Sequence, residues 1–464
     1  MDRKKIFVLL PDGIGLRNFA YSNFNNIGVE QGFEVIYWNN TPFELHDLGF
    51  QEIKITYAKT HPLTDTFKNA RKQIELFLNT KKTNDPAYEN YNFPFSYKNI
   101  KDAAKSIAIQ IVKVLYRSEN GLRKLRALIK KKERKTAYYR NCIETLKREK
   151  PALVFCTNQR PLLAIAPLLA AQDLGIPTAI FIFSWDNLPK ATMVVESDYY
   201  FVWSQNMKKE LLCYYPYIEA SKIFVTGTPQ FESHFDKSKI FSREVFFKQH
   251  DLDLQKKYIC YSGDDITTSP DDHQYLEDVA KAVIQLNIEG NNLGIIFRRC
   301  PVDFSTRYDA VLEKYKDIIV PIAPKWEMVG NYWNAILPTA ADIDLQLNTI
   351  RHTELVINLG SSMVFDYVTQ NKPCLYINYD VPKKALDYWS VKKVYNYIHF
   401  RSMPSKEAVF WLNSPEEIQT KIQSALEARN QVVSQAQKWF EIIVHHPPEL
   451  ASKRIWSQIK TLTK

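Results

Sequence analysis

The chemistry of this sequence concentrates where an apolar run breaks into small polar residues. Leu355-Val356-Ile357-Asn358 reads as a buried strand, Leu359-Gly360-Ser361-Ser362 as a turn, and Met363-Val364-Phe365-Asp366-Tyr367 as the start of a helix. A strand, turn and helix in that order bring backbone N–H groups, two hydroxyls and the positive end of a helix dipole to one point, which suits an anion. Ser361 or Ser362 equally suits plain helix capping, because capping uses the same geometry. Asp366, one turn further on, is placed to accept hydrogen bonds from ribose hydroxyls. Arg298 and Arg299, at the end of the apolar run Leu293–Phe297, add positive charge for a phosphate. Two further loops follow strands and carry carboxylates. Asp12 lies in Pro11-Asp12-Gly13-Ile14-Gly15, with Arg17 just beyond, and Asp186 lies in Phe183-Ser184-Trp185-Asp186-Asn187. Either carboxylate can hold a turn or cap a helix instead of doing chemistry.

Other patterns point away from familiar sites. Gly13-x-Gly15 is a partial dinucleotide signature: the third glycine is missing, and the second strand ends Trp38-Asn39-Asn40 without the acidic residue that binds ribose in nicotinamide enzymes. Asp342-x-Asp344 has metal-binding spacing, but it follows Pro338-Thr339 at a helix start, where acidic residues are expected anyway. The nine histidines show no HExxH or HxH spacing, and the six cysteines include no CxxC pair. No metal site and no resident cofactor are expected. Scattered cysteines inside apolar runs suit free thiols in a reducing compartment.

The elements that must position these residues alternate between strand and helix. Strands are expected at Lys5–Leu10, Phe33–Trp38, Ala152–Thr157, Pro177–Phe183, Tyr199–Trp203 and Lys222–Thr226, and again from Tyr258–Gly263 through Leu293–Arg298, Asp317–Pro321, Leu355–Asn358 and Pro373–Asn378. This alternation implies parallel sheets, with ligands beyond the carboxyl ends of the strands. At 464 residues the chain is long enough for two domains. A domain of residues 1–235 and another of 236–430 are expected, each Rossmann-like, followed by a helical tail over 431–464 that packs back on the first domain. Two facing sheets would place an active site in the cleft between them. Ser269, Pro270, Asp271 and Asp272 read as a helix start with Ser269 as its cap.

Residues 51–148 interrupt the alternation as a polar, basic, helical insertion. Within it, Leu122, Leu125, Leu128 and Ile129 form an apolar stripe beside the run Arg123–Lys135. That run is either a solvated face or a contact with anionic lipid or an acidic acceptor. The chain carries 61 Lys+Arg against 51 Asp+Glu, a net charge of +10. An anionic partner follows from that balance. Nucleic acid is the weakest choice, because the basic residues concentrate in one insertion without a groove-reading or single-strand motif. The first apolar run is too short for a signal peptide and no apolar stretch approaches a membrane span, so a cytoplasmic protein, peripheral at the inner face of the membrane, is expected.

Taken together, the motifs resemble a known family. The segment Gly360-Ser361-Ser362 with Asp366 and Asn371-Lys372-Pro373 resembles the donor-binding turn of GT-B glycosyltransferases and of the related UDP-N-acetylglucosamine 2-epimerase superfamily. There a Ser-Gly-Gly turn holds a nucleotide diphosphate, and a glutamate, here replaced by Asp366, binds the ribose. Phe183-Ser184-Trp185-Asp186-Asn187 and Val225-Thr226-Gly227-Thr228-Pro229-Gln230-Phe231 look like motifs of bacterial surface-polysaccharide transferases related to CDP-glycerol glycerophosphotransferases. Ile296–Pro301 resembles their Arg-x-His-Pro strand end, with Cys300 where histidine is usual. The resemblance covers about residues 150–380, the first strands more loosely, and the basic insertion not at all.

The resemblance implies an α/β GT-B fold and an inverting transfer of sugar from a nucleotide-activated donor to a surface glycan or lipid-linked acceptor. Arg298, Arg299, Gly360, Ser361, Ser362 and Asp366 would bind the donor. Asp12 or Asp186 would be the general base. Gly13, Arg17, Trp185 and Asn187 would line the acceptor side. The same scaffold also suits a polyol-phosphate transferase with a CDP-linked donor, a nucleotide-sugar epimerase, or a non-catalytic scaffold of glycan assembly.

Overall fold

The structure, a computed structural model, describes residues 3–92, 95–328 and 336–464. Its contacts divide the chain into two units, one of Met1–Gln230, Tyr397–His399 and Ile443–Lys464, the other of Phe231–Asn396 and Phe400–Ile442.

The first unit is built on seven strands: β1 (Lys4–Leu10), β2 (Phe33–Asn39), β3 (Gln51–Lys54), β4 (Leu153–Cys156), β5 (Thr178–Phe181), β6 (Tyr199–Val202) and β7 (Ile223–Val225). All neighbours are parallel, in the order β3-β2-β1-β4-β5-β6-β7. Ile6–Leu10 and β4 are wholly buried, as expected of strands covered on both faces. Its helices are α1 (Leu16–Phe19), α2 (Phe24–Glu30), α3 (Thr64–Thr83), α4 (Ile100–Leu115), α5 (Glu119–Glu133), α6 (Ala137–Glu149), α7 (Ile165–Asp173) and α8 (Gln205–Tyr214). Phe19, Phe24, Phe155, Phe181 and Phe201 pack ring on ring in its core.

The second unit repeats the plan with β8 (Lys257–Ser262), β9 (Leu293–Arg298), β10 (Ile319–Pro321), β11 (Trp326–Met328), β12 (Ile336–Pro338), β13 (Thr353–Asn358), β14 (Cys374–Ile377) and β15 (Phe410–Leu412). Six of them form a parallel sheet in the order β10-β9-β8-β13-β14-β15, while β11 and β12 pair antiparallel. Around them lie α9 (Arg243–Gln249), α10 (Asp272–Ile288), α11 (Asp309–Lys314), α12 (Ala340–His352), α13 (Met363–Val368), α14 (Val391–Tyr395), α15 (Ile418–Glu427) and α16 (Asn430–Ile443). The last helix, α17 (Ala451–Leu462), belongs to the first unit.

Three details differ from the sequence reading. The segment read as an insertion from residue 51 begins with a sheet strand, because Gln51–Lys54 pairs with Ile36–Asn39. Helix α10 starts later than expected: Asp271 occupies the cap position, and the Ser269 hydroxyl donates to the Asp272 carboxylate at 2.9 Å. The tail divides, since α16 packs Trp439 and Phe440 on Phe365 of the second unit while α17 seats Trp456 against Phe24 and Phe33 of the first.

Candidate functional site

In the second unit, β13 runs into the turn at Gly360, whose φ of +66° is a left-handed conformation that suits glycine. A Cβ there would meet Val394 and Phe400 at 3.1 Å. The two serines that follow have different tasks. Ser361 caps: its Oγ accepts from the Met363 N–H at 3.3 Å, and its own N–H donates to Asn358 Oδ1 at 2.9 Å. Ser362 stands at the cap position of α13 yet makes no side-chain cap bond. The structure therefore assigns capping to Ser361 and leaves the Ser362 hydroxyl out of it. Tyr376 fixes the turn from below, donating its hydroxyl proton to the Ser361 carbonyl at 2.8 Å.

The other residues expected at this end of the sheet are held by protein partners. Asp366 is 2% exposed, and its Oδ1 lies 3.0 Å from Nε2 of His234, which is also buried. A ribose hydroxyl would have to share that carboxylate with the imidazole. Arg298, at the end of β9, donates to both oxygens of Asp342 at 2.8 Å. Asp342 accepts further from the Lys325 N–H and the Trp326 indole, so its carboxylate is committed to fixing β9 and β11. Arg299 is half-buried, donates to the Ser305 carbonyl at 2.5 Å and lies over the Tyr308 ring. Burial pushes the Cys300 thiol up to about 12, which keeps it protonated at neutral pH.

Sequence reasoning missed a network beside this turn. Beyond β8, Asp264 and Asp272 lie close enough that burial, then their mutual repulsion, raises Asp264 well above the usual carboxylate range. Tyr308 donates to Asp272 at 2.6 Å, and Arg307 ties Asp303, the Ser269 carbonyl and the Asp264 carbonyl together. The signal available was only a run of aspartates on a loop.

In the first unit, Asp12 follows β1 and caps the 3-10 turn Gly13–Gly15, accepting from the Ile14 N–H at 3.3 Å. Asn158, just beyond β4, donates to both Asp12 oxygens, at 3.3 and 3.1 Å. Burial raises the Asp12 pKa above the ordinary carboxylate value, opposed by Asn158 and by the Arg160 guanidinium. Gly13 is buried in this turn, and Arg17 lies half-buried on α1.

Asp186 has the opposite environment. Burial alone raises its pKa, but the Lys190 ammonium and nearby His399 outweigh that and hold it well below the usual range. Asn187 is 2% exposed and bridges Asp186 to Gln159, each at 2.9 Å. Trp185 is buried edge-on against the His399 ring, with centroids 4.8 Å apart. Both side chains thus build the loop from within, and neither presents an open face to a sugar. His399 is pushed down to about 4, chiefly by burial, and its Nδ1 is 3.1 Å from the Tyr91 hydroxyl.

Cations gather around these carboxylates from helices that the sequence reading treated as an insertion. Burial, then Lys68, Lys190, Arg71 and Arg160, lower the Lys72 ammonium to about 8. Such mutual repulsion means α3 carries its lysines to the region of Arg160 and Lys190, a concentration of positive charge that an anionic ligand would relieve. Glu210 on α8 is raised by burial to about 8, and its Oε2 is buried without a hydrogen bond. A cavity of about 880 Å³ lies at the opposite strand ends, lined by Arg126, Glu196, Ser197, Tyr217 and Lys222, away from both carboxylates. Among the described residues, the group with metal-ligand spacing is Glu44, His46 and Glu52.

No protein-family model matches the chain, and no curated protein matches it by sequence. Its fold does have counterparts among solved structures. An assigned UDP-N-acetylglucosamine 2-epimerase from Listeria monocytogenes superposes with a TM-score of 0.56 at 12% identity, over 99% of this chain and 96% of that one. Another UDP-N-acetylglucosamine 2-epimerase gives 0.54 at 12% identity, over 99% and 96% of the two chains. A glycosyltransferase from Rickettsia africae gives 0.52 at 11% identity, with both chains covered in full. Two all-parallel sheets of matching strand order, together with these likenesses, make this a GT-B fold.

Proposed function

We propose that the protein is a nucleotide-sugar-dependent glycosyltransferase that extends a bacterial surface glycan or lipid-linked acceptor with inversion at the sugar carbon. The observation that carries this reading is the division of labour between Ser361, which caps α13, and Ser362, which does not. A turn that is already capped and still offers a hydroxyl suits a phosphate. The leaving nucleotide needs N–H donors and positive charge rather than a covalent nucleophile.

In this reading the donor is held through Gly360, Ser361 and Ser362, and Arg299, anchored on the Ser305 carbonyl and the Tyr308 ring, adds positive charge for its phosphate. Arg298 and Asp366 act as positioning residues, since their charges are spent on Asp342 and His234. Asp12 is the proposed base: it takes the proton of the acceptor hydroxyl as that oxygen bonds to the sugar carbon and the bond to the nucleotide phosphate breaks. The lysines near Lys72 attract a phosphate-bearing acceptor.

Titration calorimetry of UDP, CDP, CMP and GDP tests the donor site. One nucleotide should bind, Ser362→Ala should weaken it about tenfold, the value of one hydrogen bond to a charged group, and the melting temperature should stay put. Ser361→Ala should instead lower stability by about 1 kcal/mol, as loss of a cap does. Equal nucleotide affinity in wild type and Ser362→Ala, or no binding of any nucleotide, sinks the donor assignment. The fold likeness to two epimerases favours epimerisation as a second reading. Donor incubated alone separates the two, because an epimerase interconverts it without acceptor.

A further inference from the structure

Helix α4 carries an apolar face that lies open among the described residues. Ile100, Ile107, Ile111, Val114 and Leu115 are 89%, 53%, 54%, 72% and 71% exposed. At about 100° per residue these five side chains and Ala104 fall on one face of the helix. The opposite face is already used: Ser106 and Ile109 are buried where α4 packs on α3. An amphipathic helix of a water-soluble fold buries one apolar stripe and shows water a polar one. Here a second apolar stripe is shown to solvent, on a scale that marks an interaction surface.

Charge around the stripe selects its partner. Residues 98–117 contain Lys98, Lys101, Lys105, Lys113 and Arg117 against one acid, Asp102, a balance of five minus one, or +4. Asp102 is engaged at the helix start by Ser96 and Asn99. Lys105 pairs with Asp65 and Arg117 lies over the Phe77 ring, while Lys98 and Lys101 stand exposed at the rim, with Tyr97 beside them. A second copy docked through this face would oppose one net-positive patch to another, since both sides of a two-fold interface are the same surface. An anionic surface meets both features at once.

We propose that α4 lies in the surface of an anionic bilayer, with Ile107, Ile111 and Val114 immersed and Lys98 and Lys101 at the headgroups. No helix among the described residues is long and apolar enough to cross a membrane, so this is attachment in the plane. The basic run on α5 has a lesser part than its sequence suggests. Arg126, Lys130 and Arg134 turn to Glu75, Glu196 and Asp173, leaving Arg123, Lys124, Lys131 and Lys135 outward as a diffuse attraction. The proposal stands on the surface of α4 and is independent of the reaction proposed above.

Co-sedimentation of the full chain with vesicles tests it. The protein should partition onto phosphatidylcholine–phosphatidylglycerol vesicles and not onto phosphatidylcholine alone. The triple variant Ile107→Ser, Ile111→Ser, Val114→Ser should lose at least tenfold in partition. Lys98→Gln with Lys101→Gln should lose about tenfold or more, since each cation near a charged surface is worth about fivefold. Nucleotide titration of these variants should be unchanged, which separates this surface from the donor site. Ile111→Trp gives a reading that does not depend on the triple variant folding: the difference between its emission and that of the wild type, which already holds nine tryptophans, should shift to the blue with anionic vesicles and be quenched by brominated lipid. Failure of the wild type to bind anionic vesicles overturns the proposal, as does an unshifted Ile111→Trp. A serine variant that turns a dimer into a monomer while vesicle binding is unchanged assigns the face to a second copy, and overturns it too.

Discussion

Asp12 and Asp186 carry the same functional group on loops that follow strands, and their surroundings push them apart. Burial dominates at Asp12 and raises its pKa, while Lys190 overrides burial at Asp186 and lowers it. A general base works best when its pKa approaches the working pH, so Asp12 is the better proton acceptor and Asp186 a fixed negative charge. With the true acceptor in hand, Asp12→Asn should lower kcat by about 10²–10⁴-fold. The base must be ionised, so activity in the wild type should fall as pH drops through the raised Asp12 pKa, at a pH above the model-peptide value for aspartate. Steady-state rates against pH check this; an acid limb unchanged by Asp12→Asn would remove Asp12 from the chemistry. Both carboxylates were legible in the sequence because each follows a strand. Their contrast was not, since Asn158 and His399 arrive from distant parts of the chain and only the folded loop turns Lys190, four residues on, toward Asp186. The same holds for Ser361 and Ser362, whose roles part only once Asn358 and the Met363 N–H are in place.

At the scale of elements, strong apolar periodicity was readable and weak signals were not. The strands carrying the candidate turns lie where their Val- and Ile-rich runs place them, at Leu293–Arg298 and Thr353–Asn358. β3, Gln51-Glu52-Ile53-Lys54, is polar and pairs on one edge only, so its sequence resembles a loop. Helices α3 and α5 read as solvated and basic, yet a buried ion network holds them. Arg71, 1% exposed, donates to Glu75 at 2.7 Å and to the Ala191 carbonyl at 3.1 Å. Arg126 of α5 reaches the same Glu75 oxygen at 2.5 Å, and the Tyr215 hydroxyl donates to its second oxygen at 3.4 Å. Glu75→Gln would leave Arg71 enclosed beside a second guanidinium without the shared carboxylate. A loss of about 3–5 kcal/mol is expected, the usual cost of breaking a buried pair from one side. Urea unfolding measures it, and the exposed Lys131→Gln should stay within about 0.5 kcal/mol of wild type. A Glu75→Gln midpoint equal to that of Lys131→Gln would mean the network does not secure these helices.

At the scale of the molecule, the two sheets repeat one plan, and the last helix of the chain returns to the first of them. Trp456 is fully buried, stacks on Phe33 with centroids 5.2 Å apart, and donates its indole N–H to the Phe24 carbonyl at 2.7 Å. This closure depends on Gly28 of α2, where a Cβ would meet the Trp456 ring at 2.4 Å, too close for any real contact. A helix interior ordinarily gains about 1 kcal/mol from Gly→Ala. Here the ring forbids it, so Gly28→Ala should instead destabilise by about 1–3 kcal/mol, as overpacking does. Trp456→Ala should cost about 3–5 kcal/mol through the cavity it leaves. The two changes cannot be additive if they share one contact. Without the indole the closest clash is gone and only Val35 Cγ2, 2.8 Å from the new methyl, has to give way, so in a Trp456→Ala background Gly28→Ala should cost less than in the wild type, a coupling of about 1 kcal/mol or more. Four denaturant curves, of wild type, both single variants and the double, measure that coupling directly. Additive losses would show that α17 does not seat on α2 through this residue pair, and the closure of the first sheet by the end of the chain would have to rest on other contacts.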